Sequence, residues 1–496
     1  MAQSTDNTVI VVGAGFGGIA SALRLRAKGY AVKLLDQCPQ LGGRAQVYSV
    51  GGFTHDAGPT VLTAPFLLEE LFELFGKQLA DYLELVPLNP WYQFVFPDGQ
   101  VFNYGGSVED TLQEIEAFNP ADKTGYLNLV ESSKAIFDVG FEQLGATPFH
   151  TFSTMLKTVP HLISLKAQEP VWNFVCRHLQ DENLRQAFSI QPLLVGGNPF
   201  STSSIYSLIH FLERKWGIHF AKGGTGAVVQ ALAKLMAEVG ISVHLNTRVE
   251  RLLIDDFKRC KGVLLSNGEK LNAGKVVSNA DPAFVYRNWV NSESLSLSTK
   301  LKNKTAAYSM GLFVLYFGTQ ARYPNVEHHT IWLGKRYKAL LDDIFKHQVL
   351  AEDFSLYLHR PTATDSSFAP EGCESFYVLC PVPNLQAEID WRLEGPRLRD
   401  RIVKALSKTI LPNLEQTICH DFFKTPEDFA TSYSSLHGTG FSIAPILRQS
   451  AWFRYHNKSE SIKNFYLTGA GTHPGAGLPG VLCSAKVVDA LIPEAV

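Results

Sequence analysis

Thr8-Val9-Ile10-Val11-Val12-Gly13-Ala14-Gly15-Phe16-Gly17-Gly18 is the stretch that decides the fold. Its first five residues are a β-branched apolar run, the composition of a strand buried on both faces of a parallel sheet. The glycine cluster follows at once and leads into a helical stretch, Ile19–Ala27, closed by Gly29. A second strand, Tyr30–Leu35, then ends in Asp36. Strand, G-x-G-x-x-G turn, helix, strand and terminal acid in this register make a dinucleotide-binding unit. Gly13 permits the tight turn, Gly15 lets a pyrophosphate reach the backbone, and Gly18 lets helix and strand pack closely. The phosphates are expected on the helix N-terminus, where free N–H groups and the helix dipole favour anions. Asp36 lies 18 positions after Gly18, placed to accept hydrogen bonds from a ribose. A carboxylate there disfavours a 2′-phosphate, and so NADP.

Two stretches lie just outward, Leu41-Gly42-Gly43-Arg44-Ala45 and Asp56-Ala57-Gly58-Pro59-Thr60. At the far end of the chain Ile462–Thr468 reads as another strand. It runs into Gly469–Gly480, where five glycines and two prolines in twelve residues exclude a regular element. Val481–Ile492 follows with helical apolar spacing at Val481, Ala485, Val488 and Ile492. The double-glycine segment resembles the signature of the flavoproteins that include amine oxidases, GDP-dissociation inhibitors and carotenoid desaturases. The resemblance implies FAD, with the paired glycines and Arg44 folding a loop over its pyrophosphate, a task suited to a planar guanidinium fork. It also implies that the N-terminus of the last helix faces the flavin, where its dipole stabilises the reduced ring.

The likeness narrows at NFYLTGAGTHPGAGLPG (Asn464–Gly480), which is similar to the C-terminal signature of bacterial-type phytoene desaturases. FTHDAGPTVLT (Phe53–Thr63), LLVGGNPFSTSSIYSLIH (Leu193–His210), AEDFSLYLHRPTATDSS (Ala351–Ser367) and SAWFR (Ser450–Arg454) extend it along nearly the whole chain. The resemblance implies an α/β fold in which a Rossmann-like FAD-binding domain of the GDP-dissociation-inhibitor and amine-oxidase type is interleaved with a mixed sheet-plus-helix substrate domain. Its implied cofactor residues are Gly13, Gly15, Gly18, Asp36, Gly43, Arg44, Gly58, Pro59, Thr60, Val249, Gly471, Gly480 and Val481. The implied reaction removes two hydrogens from a C40 carotenoid precursor, 15-cis-phytoene on the way to lycopene. Another carotenoid desaturase or isomerase, acting for example on a hydroxyneurosporene- or diapophytoene-type substrate, and a non-catalytic escort of the same fold are the alternatives. Two departures stand out: Asp36 where relatives more often carry Glu, and His473 where amine oxidases tend to carry an acid at the ribityl chain.

A chain of 496 residues exceeds what one core organises, so two interleaved domains are expected. Residues 1–89, 218–290 and 451–496 are assigned to FAD, and residues 90–217 and 291–450 to substrate and membrane contact. Lys222–Gly226 opens the helix Ala227–Glu238, and this glycine run lacks both the G-x-G-x-x-G order and a preceding strand. With no second dinucleotide fold, the reduced flavin is expected to pass electrons to oxygen or a membrane quinone. Trp91–Tyr104 reads as a hairpin turning at Asp98-Gly99. Met310–Phe317 reads as a central strand, lining a greasy pocket or filling an ordinary core.

Phe149, Phe152, Leu156, Val159 and Ile163 recur at helical spacing, interrupted by Pro160, which should kink or split the helix. This stripe faces either the core or a bilayer interface. Charge is nearly balanced, 45 basic against 47 acidic residues, with no basic stripe for nucleic acid. The seven cysteines show no CxxC pair, which fits reduced thiols and argues against a zinc site. No targeting segment and no run of ~20 apolar residues is read. A cytoplasmic protein held peripherally at the cell membrane is therefore expected. No catalytic residue is named by the sequence, and Asp365, His359 and His329 are expected to be structural.

Overall fold

The computed structural model describes residues 7–496. Thr8–Val12 is the middle strand of a five-stranded parallel sheet. The strand order is Phe465–Leu467, Lys275–Ser278, Thr8–Val12, Ala31–Leu35, Ser242–His244. Its β-branched residues alternate between two cores, as the period of a strand dictates. Val9 and Val11 pack with the helices Phe16–Ala27, Gly224–Glu238 and Leu478–Leu491, while Ile10 and Val12 pack with a three-stranded antiparallel sheet, Val249–Ile254, Cys260–Leu265 and Lys270–Asn272. The first and last helices lie against each other, and Glu70 joins them through Arg24 at 2.8 Å and Lys486 at 2.9 Å.

Both of these helices start three residues earlier than their apolar spacing suggests, at Phe16 rather than Ile19 and at Leu478 rather than Val481. A first turn needs no apolar side chain, and Pro479 fits it because the N–H it lacks would be unpaired there. Gly18 does the packing expected of it, since a Cβ there would fall 1.9 Å from the Gly13 carbonyl oxygen.

A second, seven-stranded sheet draws on other stretches of chain. Its order is Ile418–Lys424, Gly311–Thr319, Glu374–Val382, Leu356–His359, His329–Trp332, Tyr92–Val95, Val101–Tyr104, antiparallel except where His329–Trp332 meets Tyr92–Val95. Trp91–Tyr104 forms the expected hairpin, with Tyr92 opposite Tyr104. Gly311–Thr319 is buried throughout and paired on both sides, a central strand as read.

Three readings are corrected. A short strand, His219–Ala221, does precede Gly223, but it pairs antiparallel with Leu85–Pro87 outside the parallel sheet. The glycine run serves an acid instead. Asp56 Oδ1 accepts the Thr225 N–H at 3.0 Å, and a Cβ on Gly224 would stand 2.5 Å from Asp56 Oδ2. Pro160 does not split its helix, which runs unbroken over Phe152–Ser164. A proline inside a helix forfeits one bond to the carbonyl four residues before, and here that costs a kink at most. Phe149 leaves the apolar stripe: it precedes the helix, is 3% exposed, and packs edge-on against the His473 ring at 4.7 Å.

Arg454 holds the C-terminal loop in place. It is buried, and it donates to the carbonyls of Thr472 (2.9 Å), Ala470 (2.6 Å) and Gln449 (3.3 Å). Burial pulls its guanidinium below the ordinary value, with Tyr206 and Asp281 opposing. Removing the side chain leaves several buried carbonyls unpaired at about 1–3 kcal/mol each. Arg454→Ala should therefore cost at least about 3 kcal/mol and lower the urea midpoint, and Arg454→Lys should recover only part of it. An unchanged midpoint in Arg454→Ala would contradict this role.

Candidate flavin site and substrate cavity

The carboxyl ends of the parallel strands open into one cavity, and most of the residues expected to hold the cofactor meet there. Gly13, Gly15, Asp36, Gly43, Arg44, Gly58, Pro59, Thr60, Val249 and Val481 all line it. Gly18 lies behind it, packing helix to turn. Gly471 and Gly480 do not line it. A Cβ on Gly471 would press on Pro282 and Ser442, and one on Gly480 on the Gly475 carbonyl, so both are packing glycines.

The donor set fits a dinucleotide. The helix Phe16–Ala27 begins at Gly15 with no side-chain cap and no acid in its first turn, so nothing competes there for an anion. Arg44 donates to Ser435 Oγ and to the Thr439 carbonyl, while its buried Nε has no partner among the described residues. Burial lowers its guanidinium from the ordinary value and Asp281 opposes this, so an anion beside it would be strongly held. Asp36 is pinned by the N–H groups of Ala14 (2.6 Å) and Cys38 (2.7 Å), one on each oxygen, leaving a lone pair on each for a ribose hydroxyl. Burial and Asp36 push the Cys38 thiol up to about 11, so it stays protonated. The last helix starts at Gly477, again without a side-chain cap or first-turn acid, and Gly477, Leu478 and Val481 line the cavity.

Asn279 escaped the sequence reading. Its N–H donates to the Val12 carbonyl at 2.7 Å and its amide to the Thr468 carbonyl at 3.2 Å. A Cβ on Gly15, Gly17 or Gly469 would stand within 2.8 Å of its amide atoms. An isolated Asn after a strand carries no signal in one sequence; the glycines around it did.

Beyond Thr60 the cavity turns apolar, with Met310, Leu312, Ile331, Leu379 and Phe441 in its wall. A second cavity adjoins it, and Val61, Leu194 and Ala476–Leu478 line both. This second cavity reaches the helix Phe152–Ser164 at Met155, Val159 and Ile163. His473 lines it and its Nε2 donates to the Leu144 carbonyl at 2.8 Å; burial pulls it down to about 4, so it is neutral. Glu213 also lines it, bonded by the Tyr92 hydroxyl at 3.1 Å and pushed up to about 8 by burial.

The polar candidates separate. Asp365 accepts the N–H groups of Gly223 and Ser367 and is structural, as expected. His329 and His359 join His328 in a buried cluster in which one nitrogen atom from each ring lies within 4.8 Å of the others. No pattern in the sequence brought these three together, because His359 comes from the neighbouring strand.

Fold and site together define an FAD-dependent oxidoreductase. The model of the flavin-containing amine oxidoreductases matches residues 16–488. The phytoene desaturase (lycopene-forming) of Pantoea ananas is 49% identical, over 98% of both chains. That of Pseudescherichia vulneris is 46% identical over 98% of this chain and 99% of its own. The chain belongs to the flavin-containing amine oxidoreductase family and, within it, to the bacterial-type phytoene desaturases. Among solved structures, an oxidoreductase from Methanosarcina mazei superposes with a TM-score of 0.66 over 97% of this chain and 99% of its own, at 15% identity. Putrescine oxidase bound to putrescine gives 0.64 over 97% and 98%, at 12% identity, a likeness of fold alone.

Two substitutions test the site. Gly15→Val should abolish FAD retention, because even its Cβ would meet Asn279 Oδ1 at 2.8 Å beside the pyrophosphate path. Arg44→Ala should weaken FAD binding about tenfold or more, the worth of one charge-assisted hydrogen bond. The flavin-to-protein ratio after gel filtration reads both, and a folded Gly15→Val with full flavin would refute the assignment.

Proposed function

We propose that this chain is an FAD-dependent carotenoid desaturase that oxidises phytoene, through successive desaturations, toward lycopene. The observation that carries this reading is the adjoining pair of cavities, one carrying backbone and polar groups at one end and an apolar wall at the other, the second apolar and lined in part by exposed residues. FAD, when bound, supplies the acceptor for the hydrogen that leaves as hydride. The chain supplies the rest: residues 1–89, 218–290 and 451–496 hold the cofactor, and residues 90–217 and 291–450 enclose an apolar chain and exclude water. Gly13, Gly15, Asp36, Gly43, Arg44, Gly58, Pro59, Thr60, Val249 and Val481 are the residues assigned to FAD. Lycopene as the end point is supported by the higher identity to lycopene-forming relatives than to the neurosporene-forming phytoene desaturase of Rhodobacter capsulatus, at 39%.

The same reading places the enzyme on a bilayer. Each CH₂ moved into water costs about 0.8 kcal/mol, so a C40 hydrocarbon cannot be collected from solution at a useful rate. Among the described residues no helix is long and apolar enough to cross a membrane. The helix Phe152–Ser164 instead turns its apolar residues outward: Phe152 is 53%, Leu156 57% and Ile163 63% exposed, with Met155 and Thr158 buried beneath. Leu447 and Phe453, both partly exposed, lie at the same cavity. An outward apolar patch around a cavity mouth suits a lipid surface, from which substrate slides in without wetting. The glycine turn after Thr8–Val12 is the one that leads through a helix to the adjacent parallel strand Ala31–Leu35, so one dinucleotide unit is read and oxygen or a membrane quinone is the electron acceptor of this reading.

Incubation of the flavin-loaded protein with phytoene in liposomes should yield lycopene, and unchanged phytoene would overturn the reading. Phe152→Asp combined with Leu156→Asp should reduce liposome sedimentation and turnover severalfold while bound FAD stays constant. Salt should release the unaltered protein only weakly, since apolar burial is not screened. Turnover that strictly requires added NAD or NADP, with oxygen and quinone inert, would exclude the proposed acceptors.

A further inference from the structure

Where the polar part of the cavity meets the apolar part, the Tyr357 hydroxyl lies 2.6 Å from Thr60 Oγ1 and 2.8 Å from His329 Nδ1. Thr60 directly follows Gly58-Pro59 in the cofactor wall. Behind Tyr357 the cavity wall gives way to the histidine cluster. His328 Nδ1 is bonded to Thr364 Oγ1 at 2.7 Å. The Nε2 atoms of His328 and His329 and both ring nitrogens of His359 have no partner among the described residues. Asp56 Oδ2, also without a partner, stands 3.7 Å from His359 Nε2. Buried polar atoms are rarely left unpaired, and five such atoms in one place call for a function.

Resting on the desaturase reading, we propose that Tyr357 is the catalytic residue that takes the substrate's proton, passing its own to His329 Nδ1. Desaturation removes a hydride equivalent and a proton from adjacent carbons, and the hydride goes to the flavin acceptor named above. In the proton step a C–H bond next to the cationic carbon breaks and its electron pair becomes the new π bond. The proton joins Tyr357 Oη as the Tyr357 O–H proton moves to His329 Nδ1, leaving a neutral phenol and an imidazolium. Once product has left the cavity the relay runs backward: Tyr357 gives its O–H proton to cavity water as His329 Nδ1 returns its own to Tyr357 Oη, which restores the neutral imidazole in its starting tautomer. Thr60 donates to Tyr357 Oη and positions it. Burial and the neighbouring His359 hold His329 well below its ordinary value, so it rests neutral and ready. A weak base suffices, because an allylic cation is a strong carbon acid. Burial also holds the Tyr357 phenol well above its usual range, so it stays protonated between turnovers.

The test compares Tyr357→Phe, His329→Gln and the double variant with the unaltered holoenzyme on phytoene in liposomes. Each single variant should lower kcat about 100-fold, the lower end for a proton-transfer group, with KM, FAD content and thermal midpoint unchanged. The double variant should be no slower than either single one, because the two side chains act as one unit. A solvent deuterium isotope effect on turnover should be present in the unaltered enzyme and absent in Tyr357→Phe. Undiminished kcat with a retained isotope effect in Tyr357→Phe would overturn the assignment. So would stoichiometric zinc or iron in the purified protein, which would commit the histidine nitrogens to a metal ion. Unaltered enzyme that carries FAD yet leaves phytoene intact would instead overturn the desaturase reading itself.

Discussion

Asn279 ties together three strands drawn from the beginning, middle and end of the chain. Its N–H meets the Val12 carbonyl, its amide meets the Thr468 carbonyl, and Thr468 in turn donates to Ser278 at 2.9 Å. The carboxyl ends of these strands are the floor of the flavin cavity, so the cavity exists only where the three stretches are held in register. Gly15, Gly17 and Gly469 are required because the backbone there closes on the Asn279 side chain. Their glycine character thus answers to a neighbouring side chain as much as to a pyrophosphate. All the chain between these strands must leave from and return to this knot, which is why the second sheet is assembled from insertions.

Charge is placed on the same economy. Arg44 and Arg454 both face the buried Asp281, whose carboxyl burial pushes up and Arg44 pulls down. Arg44 lines the cofactor cavity and keeps a buried Nε without a partner among the described residues, and Arg454 spends its fork on loop carbonyls. The two differ in role because Arg44 lines the cavity, whereas Arg454 has its acceptors inside the protein. Next to these charged groups the apolar wall begins within a few residues, at Val61. A dinucleotide and a hydrocarbon can therefore meet without sharing solvent.

The apolar path ends in a helix that is inside out by the usual rule. Met155 and Thr158 face the protein, Phe152 and Leu156 are more than half exposed, and Ile163 is exposed where it also lines the second cavity. Such a face costs stability in water and is returned by contact with an apolar surface. The sequence showed the stripe but not its direction. Phe149, counted with it on spacing alone, turned inward because the chain before the helix bends toward the His473 ring.

Local sequence determined what local physics controls. The five β-branched residues, the glycine turn, Asp36 and the Arg44 loop announced a dinucleotide unit, and the hairpin at Asp98-Gly99 and the buried strand Gly311–Thr319 were legible from alternation and composition. Helix starts were misjudged by three residues because a first turn can hold glycines and a proline that carry no apolar signal. Tertiary structure alone decided the placement of groups far apart in sequence. Gly471 and Gly480 proved to be packing glycines, the Gly223–Gly226 turn proved to cap on Asp56, and Asn279 proved central. His328, His329 and His359 came together only because two antiparallel strands pair His329 with His359. Pairing register between distant strands is a property of the whole sheet, and no window of sequence carries it.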